Sequence, residues 1–508
     1  MSHSLLRKSS VIWAAGLVVA LLSTAAEARD RAADALPDVT ERFSAGDERP
    51  VSGQAWWAEL DSSELGRLMS VAIEANPDLQ TAHSQAIQAH ALSLTSVTSF
   101  APSISLGAQV SMLPSESLTF GNANNLSFDD ILTPLYEALA QMGVEIESPD
   151  SSSSGQSADF ADTVYNGSAS ATLNLPVDLW GVGVQNFVAG RWDARASAIA
   201  ADSLRLTVTT SVARAWLDVV SGGARVVLLD EQIRSAESIL ELTVLRHERG
   251  EASALDVLQQ RQQLATTRSL LPQSRALLRI SEQQLAILLG RSASERVEVL
   301  TTEMPALPAQ PAIGTPAQLV ERSPAVLSAA AQLAAARHRE QASWRASLPS
   351  LAVSASYGPQ FYNFDGENWD SDSFWSTGVS ASLPIFQSGA ALNGIRASRA
   401  GADAAGHSLQ AAALTAVQQV EAALSLEAER ILQQEQAALV RTAAQLSLEA
   451  ALEQYRSGLI NHIPVIAAQQ SLLSAELSAL QADRDLLDAR IQLHAALGSA
   501  SSLSGDAR

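Results

Sequence analysis

The sequence predicts a mainly α-helical protein with a minority of β-structure, laid out as two copies of one repeat. Three observations predict it: four stretches of strict two-residue alternation, two proline-free stretches of 68 residues, and segments that recur at fixed offsets.

The repeat organises the rest. "NPDLQTAHSQAIQAHA" at 76 resembles "SPAVLSAAAQLAAARH" at 323, and "FAPSISLGAQVS" at 100 resembles "SLPSLAVSASYG" at 347; both pairs are offset by 247. "LPVDLWG" at 175 matches "LPIFQSG" at 383, and "RHERGEASALDVLQQRQQL" at 246 matches "QYRSGLINHIPVIAAQQSL" at 454. With "ILLG" ending at Gly290 and "AALG" ending at Gly498, these pairs share an offset of 208. The offset falls between Pro102 and Pro176, so the first repeat carries an insertion, about 113–162, polar and acidic apart from "ILTPLYEALAQM". The first repeat spans 54–298 and the second 317–498. Pro305, Pro308, Pro311 and Pro316 stiffen the linker 299–316 between them.

Residues 1–28 read as a secretory signal peptide. Arg7 and Lys8 precede a 12-residue apolar run at 11–22, and Ala26-Glu27-Ala28 offers small residues for cleavage. Such a run is too short to span about 30 Å of hydrocarbon. Residues 29–53 and 499–508 read as extended ends.

The strands are expected at 103–112, 164–177, 350–361 and 375–386. In the second, Tyr165, Gly167, Ala169, Ala171, Leu173 and Leu175 alternate with Asn166, Ser168, Ser170, Thr172 and Asn174. Period-two alternation gives a sheet with one oily and one wet face. A half-exposed soluble sheet shows the same pattern, but here the wet faces carry Ser, Gly, Asn and Gln rather than Lys and Glu. Strands of about ten residues suit a tilted crossing of a bilayer.

The helices are expected at 182–249, 252–290, 390–457 and 460–498, with shorter ones at 64–99 and 317–346 broken near Pro77 and Pro324. A helix of 68 residues is roughly 100 Å long, unless Gly222-Gly223 kinks the first. Gly250 and Gly458 sit where a helix C-terminus wants a left-handed residue. Four lipid-facing strands leave open edges, and unpaired backbone groups cost several kcal/mol each in hydrocarbon. Several copies must therefore share a barrel. Two copies give 8 strands and three give 12, and the polar inner faces favour three.

The chemistry classes are thin. The chain has no Cys, no HExxH, no GxSxG and no P-loop, and Gly181-x-Gly183 lacks a third glycine. An enzyme is not expected, nor a cofactor or a metal. A net charge of −21 argues against nucleic acid.

"QAWWAEL" (54–60), "NPDLQTA" (76–82), "LPVDLWG" (175–181), "RGEASALDVLQQRQQLA" (249–265) and "LAILLG" (285–290) carry a resemblance that covers nearly the whole chain after residue 28. In order and spacing they resemble the TolC-type outer-membrane efflux proteins, the outer membrane factor family, in its NodT/OprM-like branch but without a lipidated Cys. The resemblance implies a homotrimer sharing a 12-stranded barrel in the outer membrane of a Gram-negative cell, above an α-helical periplasmic tunnel. It also implies a periplasmic adaptor and an inner-membrane pump, RND-type above others. The implied function is passive exit of small molecules; the alternative is the outer-membrane component of type I protein secretion. Carried over by resemblance, Gly250, Glu251, Gly458 and Leu459 form the adaptor-docking tunnel tip. Constriction candidates are Ile463, Asp256 and His462, the last also a candidate for pH sensitivity. Pro464 and Ala467 stand where relatives place constricting aspartates, so the usual acidic cation-binding ring is not expected.

Overall fold

The computed structural model describes residues 42–43, 56–60, 62–114, 163–297, 299, 301–363 and 370–498. The expected signal peptide 1–28, nearly all of 29–53, the bulk of the insertion and the tail 499–508 lie outside the described residues. Four strands are described: β1 (Ser103–Pro114), β2 (Thr163–Val177), β3 (Ser350–Asn363) and β4 (Asp370–Ser382). In chain order the helices are α1 (Ser63–Ala75), α2 (Pro77–Thr95), α3 (Val182–Glu248), α4 (Ala254–Leu288), α5 (Pro316–Arg322), α6 (Pro324–Arg345), α7 (Ala390–Arg456) and α8 (Ile463–Ala496). No described helix is long and apolar enough to cross a membrane.

Two compact units emerge. One holds Thr95–Val184 and Ala342–Ala391 and contains the sheet. The other gathers Met1–Leu94, Gln185–Gln341 and Leu392–Arg508, and its regular elements among the described residues are helices. The units cut across the sequence repeats, because each repeat contributes strands to one and helices to the other.

The sheet runs β1-β2-β3-β4, antiparallel throughout. Its register brings the apolar positions of all strands onto one face. Ile104 and Leu106 lie opposite Leu173 and Ala171; Leu173 and Leu175 lie opposite Ala355 and Val353; Val353 and Tyr357 lie opposite Val379 and Trp375. Ile104, Leu106, Val110, Tyr357, Trp375 and Val379 are exposed on the single chain. The other face carries the hydroxyls, and Ser356 Oγ meets Ser376 Oγ across β3 and β4 at 2.7 Å. Among the described residues, β1 and β4 each have one neighbouring strand.

Two details of the sheet depart from simple alternation. The β2–β3 ladder skips the positions between Ser168↔Gln360 and Ala171↔Tyr357. Pro359 has no N–H to offer there, and a Cβ on Gly358 would sit 1.8 Å from the Ala169 carbonyl oxygen. The bare glycine lets β2 pass closely beside a proline that cannot donate. β4 occupies Asp370–Ser382, not the expected 375–386. Its frame is set by β3, from Tyr362↔Asp370 to Ser350↔Ser382, and Pro384 cannot extend the ladder.

α3 and α7 are each 67 residues long, about 100 Å of helix. The Asp178 carboxylate opens α3 by accepting from the Val182 and Val184 amides, at 2.7 and 3.1 Å. α7 opens differently, through Ser388 (φ 50) and Gly389 (φ 83) in left-handed conformations. Gly222 and Gly223 leave α3 unbroken. Gly222 instead admits α4, since a Cβ there would lie 3.2 Å from Leu278 Cδ1.

The helical core is itself doubled. Trp56, Leu65, Met69, Val212, Trp216, Leu285, Leu289 and Ile491 form one buried cluster, which packs α1, α3 and α4 with the end of α8. Ile313, Leu319, Leu333, Leu409, Val420 and Leu493 form the counterpart around α5, α6 and α7. Asn76 caps α2 through its Oδ1, which accepts from the Asp78 and Leu79 amides, while its Nδ2 donates to the Leu288 carbonyl. Arg214 bonds both Asp488 oxygens through its Nε and Nη2, at 2.6 and 3.1 Å, tying α3 to α8. The linker is pinned as well. Arg490, buried on α8, pairs with buried Glu427 of α7 and donates to the Pro308 carbonyl. Gln310 Nε2 donates to the other Glu427 oxygen at 3.1 Å.

Candidate functional site

Both long helices end alike. Gly250 (φ 77) donates to the His247 carbonyl and Glu251 to the Arg246 carbonyl. Gly458 (φ 76) donates to the Tyr455 carbonyl and Leu459 to the Gln454 carbonyl. This paired closure needs a left-handed residue, which glycine supplies without a Cβ penalty. A Cβ on Gly250 would meet nothing within 4 Å, and one on Gly458 would meet only Arg246 Nη2 at 3.8 Å. The glycines are thus required by backbone conformation and not by crowding.

The return helices start differently. Ser253 and Asp256 form a reciprocal capping box on α4: Asp256 Oδ2 accepts from the Ser253 amide at 2.8 Å and Ser253 Oγ from the Asp256 amide at 3.2 Å. The constriction candidate Asp256 therefore has a local task at its helix start. α8 begins at His462, whose side chain makes no cap, with Pro464 in its first turn. Proline fits there because that amide has no helical partner. Ile463, Leu459 and the Glu251 carboxylate are exposed, whereas His462 is fully buried.

Around His462 the two turns are joined. The Arg246 guanidinium lies 4.4 Å over the Tyr455 ring and donates to the Tyr455 carbonyl, satisfying a terminal acceptor of α7. Its Nε is 3.4 Å from a Glu251 oxygen. The Tyr455 and His462 rings are 5.3 Å apart. His462 Nε2 meets Gln260 Oε1 at 2.9 Å, and Gln260 Nε2 donates to the Ala236 carbonyl. Because the Gln260 oxygen can only accept, His462 Nε2 carries a proton and is the donor. Its Nδ1 and the Tyr455 hydroxyl find no hydrogen-bond partner among the described residues. Beneath them Ile239, Leu448, Val465 and Leu472 form a small core. Of the expected tip residues, Gly250, Glu251, Gly458 and Leu459 thus sit on two turns joined through Arg246 and Tyr455. Neither joining residue was singled out from the sequence. The available signal was a tyrosine in the last turn of an aromatic-poor, alanine-rich helix.

Burial lowers the His462 pKa below the usual histidine value of 6.5, partly opposed by the Asp256 charge. The sign follows. The unfolded state takes up a proton first as pH falls, so the joint holds its full stability above pH 6.5 and loses it below. Hydrogen exchange of 246–251 and 455–463, corrected for intrinsic rates, is expected to quicken between neutral and mildly acidic pH. His462→Gln is expected to remove that dependence. An unchanged pH response in the variant assigns the acid sensitivity to another group.

The family model described as outer membrane efflux protein matches residues 138–291 and 315–499. The pyoverdine export outer membrane protein OpmQ of Pseudomonas aeruginosa is 26% identical over 474 residues, covering 91% of each chain. Among solved structures, the outer-membrane channel OprN superposes with a TM-score of 0.74 at 20% identity, covering 92% of this chain and 99% of its own. The CmeC outer membrane channel of Campylobacter jejuni gives 0.74 at 18% identity, covering 92% and 95%.

Proposed function

The chain belongs to the outer membrane efflux protein family, and from that premise we propose that it is the exit duct of a tripartite efflux system. Three copies join their sheets into a 12-stranded barrel in the outer membrane, and their long helices form a periplasmic tunnel. The single observation that carries this reading is the sheet: among the described residues, four strands with one apolar face, the outer two paired on one side. In hydrocarbon those open edges are intolerable, and joining β4 of one copy to β1 of the next removes them. Purified in detergent, the protein is expected to behave as a trimer and to conduct ions in planar bilayers. A stable, membrane-inserted monomer sinks the reading.

The adaptor and the inner-membrane pump, a proton-driven one above others, are assigned on the same footing. Names of relatives that include pyoverdine export and toluene efflux support small-molecule cargo. Transport here needs no reaction by the chain itself. Its work is to offer a continuous aqueous path and to open it on docking.

Docking is assigned to the exposed turns at Gly250, Glu251, Gly458 and Leu459, with Ile463 and Asp256 beside them as constriction candidates. Gly458→Val forces a β-branched residue into a left-handed conformation, at roughly 1–2 kcal/mol or more. This distorts one exposed turn and leaves the helical core alone. Export, read as drug tolerance of the producing cell, is expected to collapse while trimer yield stays normal. Undiminished tolerance counts against docking at this turn.

A further inference from the structure

The helical unit holds a cavity of about 260 Å³ between α3, α4 and α8. An apolar cavity of about 150 Å³ takes benzene, so this one has room for a small organic molecule. Its lining is mixed. Leu277, Leu278, Leu477 and Leu480 supply apolar surface, and Ser221, Ser274, Ser281 and Gln481 supply hydroxyls and an amide. Arg225, Arg484 and Asp218 supply charge, a surplus of one positive in a chain whose net charge is −21.

The two arginines differ. Arg484 is committed to carboxylates: its Nε and Nη2 donate to Asp218 Oδ1 at 3.0 and 2.7 Å, and its Nη1 to Asp485 Oδ1 at 3.1 Å. Arg225 is not. Its Nε donates to Ser274 Oγ at 3.2 Å, and Ser274 is buried. Among the described residues no carboxylate lies within 4 Å of the Arg225 guanidinium, and its two Nη groups have no hydrogen-bond partner. That edge of a guanidinium matches a carboxylate in shape and charge.

The second repeat shows what the same place looks like when it is closed. At the offset of 208, Gly222 corresponds to Arg430, Leu277 to Asp485 and Arg225 to Gln433. Those three bond one another: Arg430 Nη1 lies 3.4 Å from Asp485 Oδ2 and donates to Gln433 Oε1. The long side chain fills its own space and meets its own counter-charge. In the first repeat a glycine, a leucine and a cation stand instead, which leaves a space and a positive charge together. Gly222 has no side chain to fill it, and a Cβ there would already lie 3.2 Å from Leu278 Cδ1.

We propose that this cavity binds a small organic carboxylate, with its apolar body against the leucines and its carboxylate on the Nη edge of Arg225. A bare inorganic anion leaves the four leucines unused. A neutral apolar molecule leaves the cation without a counter-charge. A pocket of apolar surface with a few convergent polar groups is the usual form of a small-molecule site. The whole lining comes from one chain and one compact unit, so the site stands whether or not the copies assemble as described above. Its occupant touches α3, α4 and α8 at once and braces them.

The test uses the full-length protein purified in detergent. Benzoate is titrated by calorimetry, with inorganic phosphate and benzyl alcohol as probes that lack the apolar body and the charge. Benzoate is expected to bind saturably and to raise the unfolding temperature, and both other probes are expected to bind at least several-fold more weakly. Arg225→Gln is expected to weaken benzoate by about tenfold or more, the worth of a charge-assisted hydrogen bond. Ser281→Glu supplies a carboxylate from within the lining and is expected to abolish benzoate binding without lowering the unfolding temperature. It also serves as the second variant if Arg225→Gln fails to assemble. No benzoate binding to the parent protein overturns the site, as does equal binding to the parent and either variant. Phosphate binding as tightly as benzoate overturns the organic ligand class.

Discussion

Replacing Gly290 with alanine is expected to destabilise the helical unit by about 2–5 kcal/mol, while the same change at its repeat mate Gly498 costs only about 1–2 kcal/mol. Both glycines are left-handed, at φ 71 and 63, and both end a return helix. Both substitutions therefore carry the backbone penalty. They differ in what the new methyl meets. At Gly498 the nearest atom is Pro324 Cδ at 3.5 Å, an ordinary contact. At Gly290 it meets the Ala75 carbonyl oxygen at 2.3 Å and its carbon at 2.9 Å. That backbone cannot easily retreat. Ala75 ends α1, and the next residue, Asn76, is held by three hydrogen bonds, one of them to the Leu288 carbonyl just before Gly290. Leu285 and Leu289 are fully buried behind it. Thermal unfolding of the detergent-solubilised protein, followed by circular dichroism, is expected to show the larger fall for Gly290→Ala. Equal falls refute the crowding argument.

The second large effect is expected from Arg490→Met. Arg490 and Glu427 are both almost fully buried, so removing the cation strands a carboxylate in the core, at about 3–5 kcal/mol. It also strips a donor from the Pro308 carbonyl. Adding Glu427→Leu is expected to recover most of the loss, because a buried pair replaced by apolar groups of similar size is often nearly neutral. The linker contacts through Pro308 and Gln310 are not recovered by the second change. Hydrogen exchange around 306–313 is therefore expected to stay fast in the double variant while overall stability returns. A double variant no more stable than Arg490→Met defeats this account.

Much of the architecture could be read from the chain because its signals are local. Alternation placed each strand's oily face, since side chains on a strand point to opposite sides in turn. The glycines at 250 and 458 announced left-handed helix ends, and both have positive φ; Gly290 and Gly498 share that conformation. The position of β4 was not legible in the same way. Alternation runs on through Leu383 and Ile385, but a ladder ends where its partner's hydrogen bonds end, at Ser350↔Ser382. The tip was half legible. Its turns follow from sequence, but Arg246 meets Tyr455 and His462 meets Gln260 across more than 200 positions. Only the fold brings such residues together, and a lone histidine gives no sign of whether it is buried.

The equal lengths of α3 and α7 act as a matched pair of rulers. Each runs 67 residues from a strand to a glycine turn, and the stacking of Arg246 on Tyr455 depends on both arriving together. Lengthening one by a single residue swings its end by about 100° and about 1.5 Å, enough to pull that contact apart. Changes in reach must therefore come in tandem, in both halves of the gene at once and in near-whole turns. A duplicated chain is bound to edit itself twice.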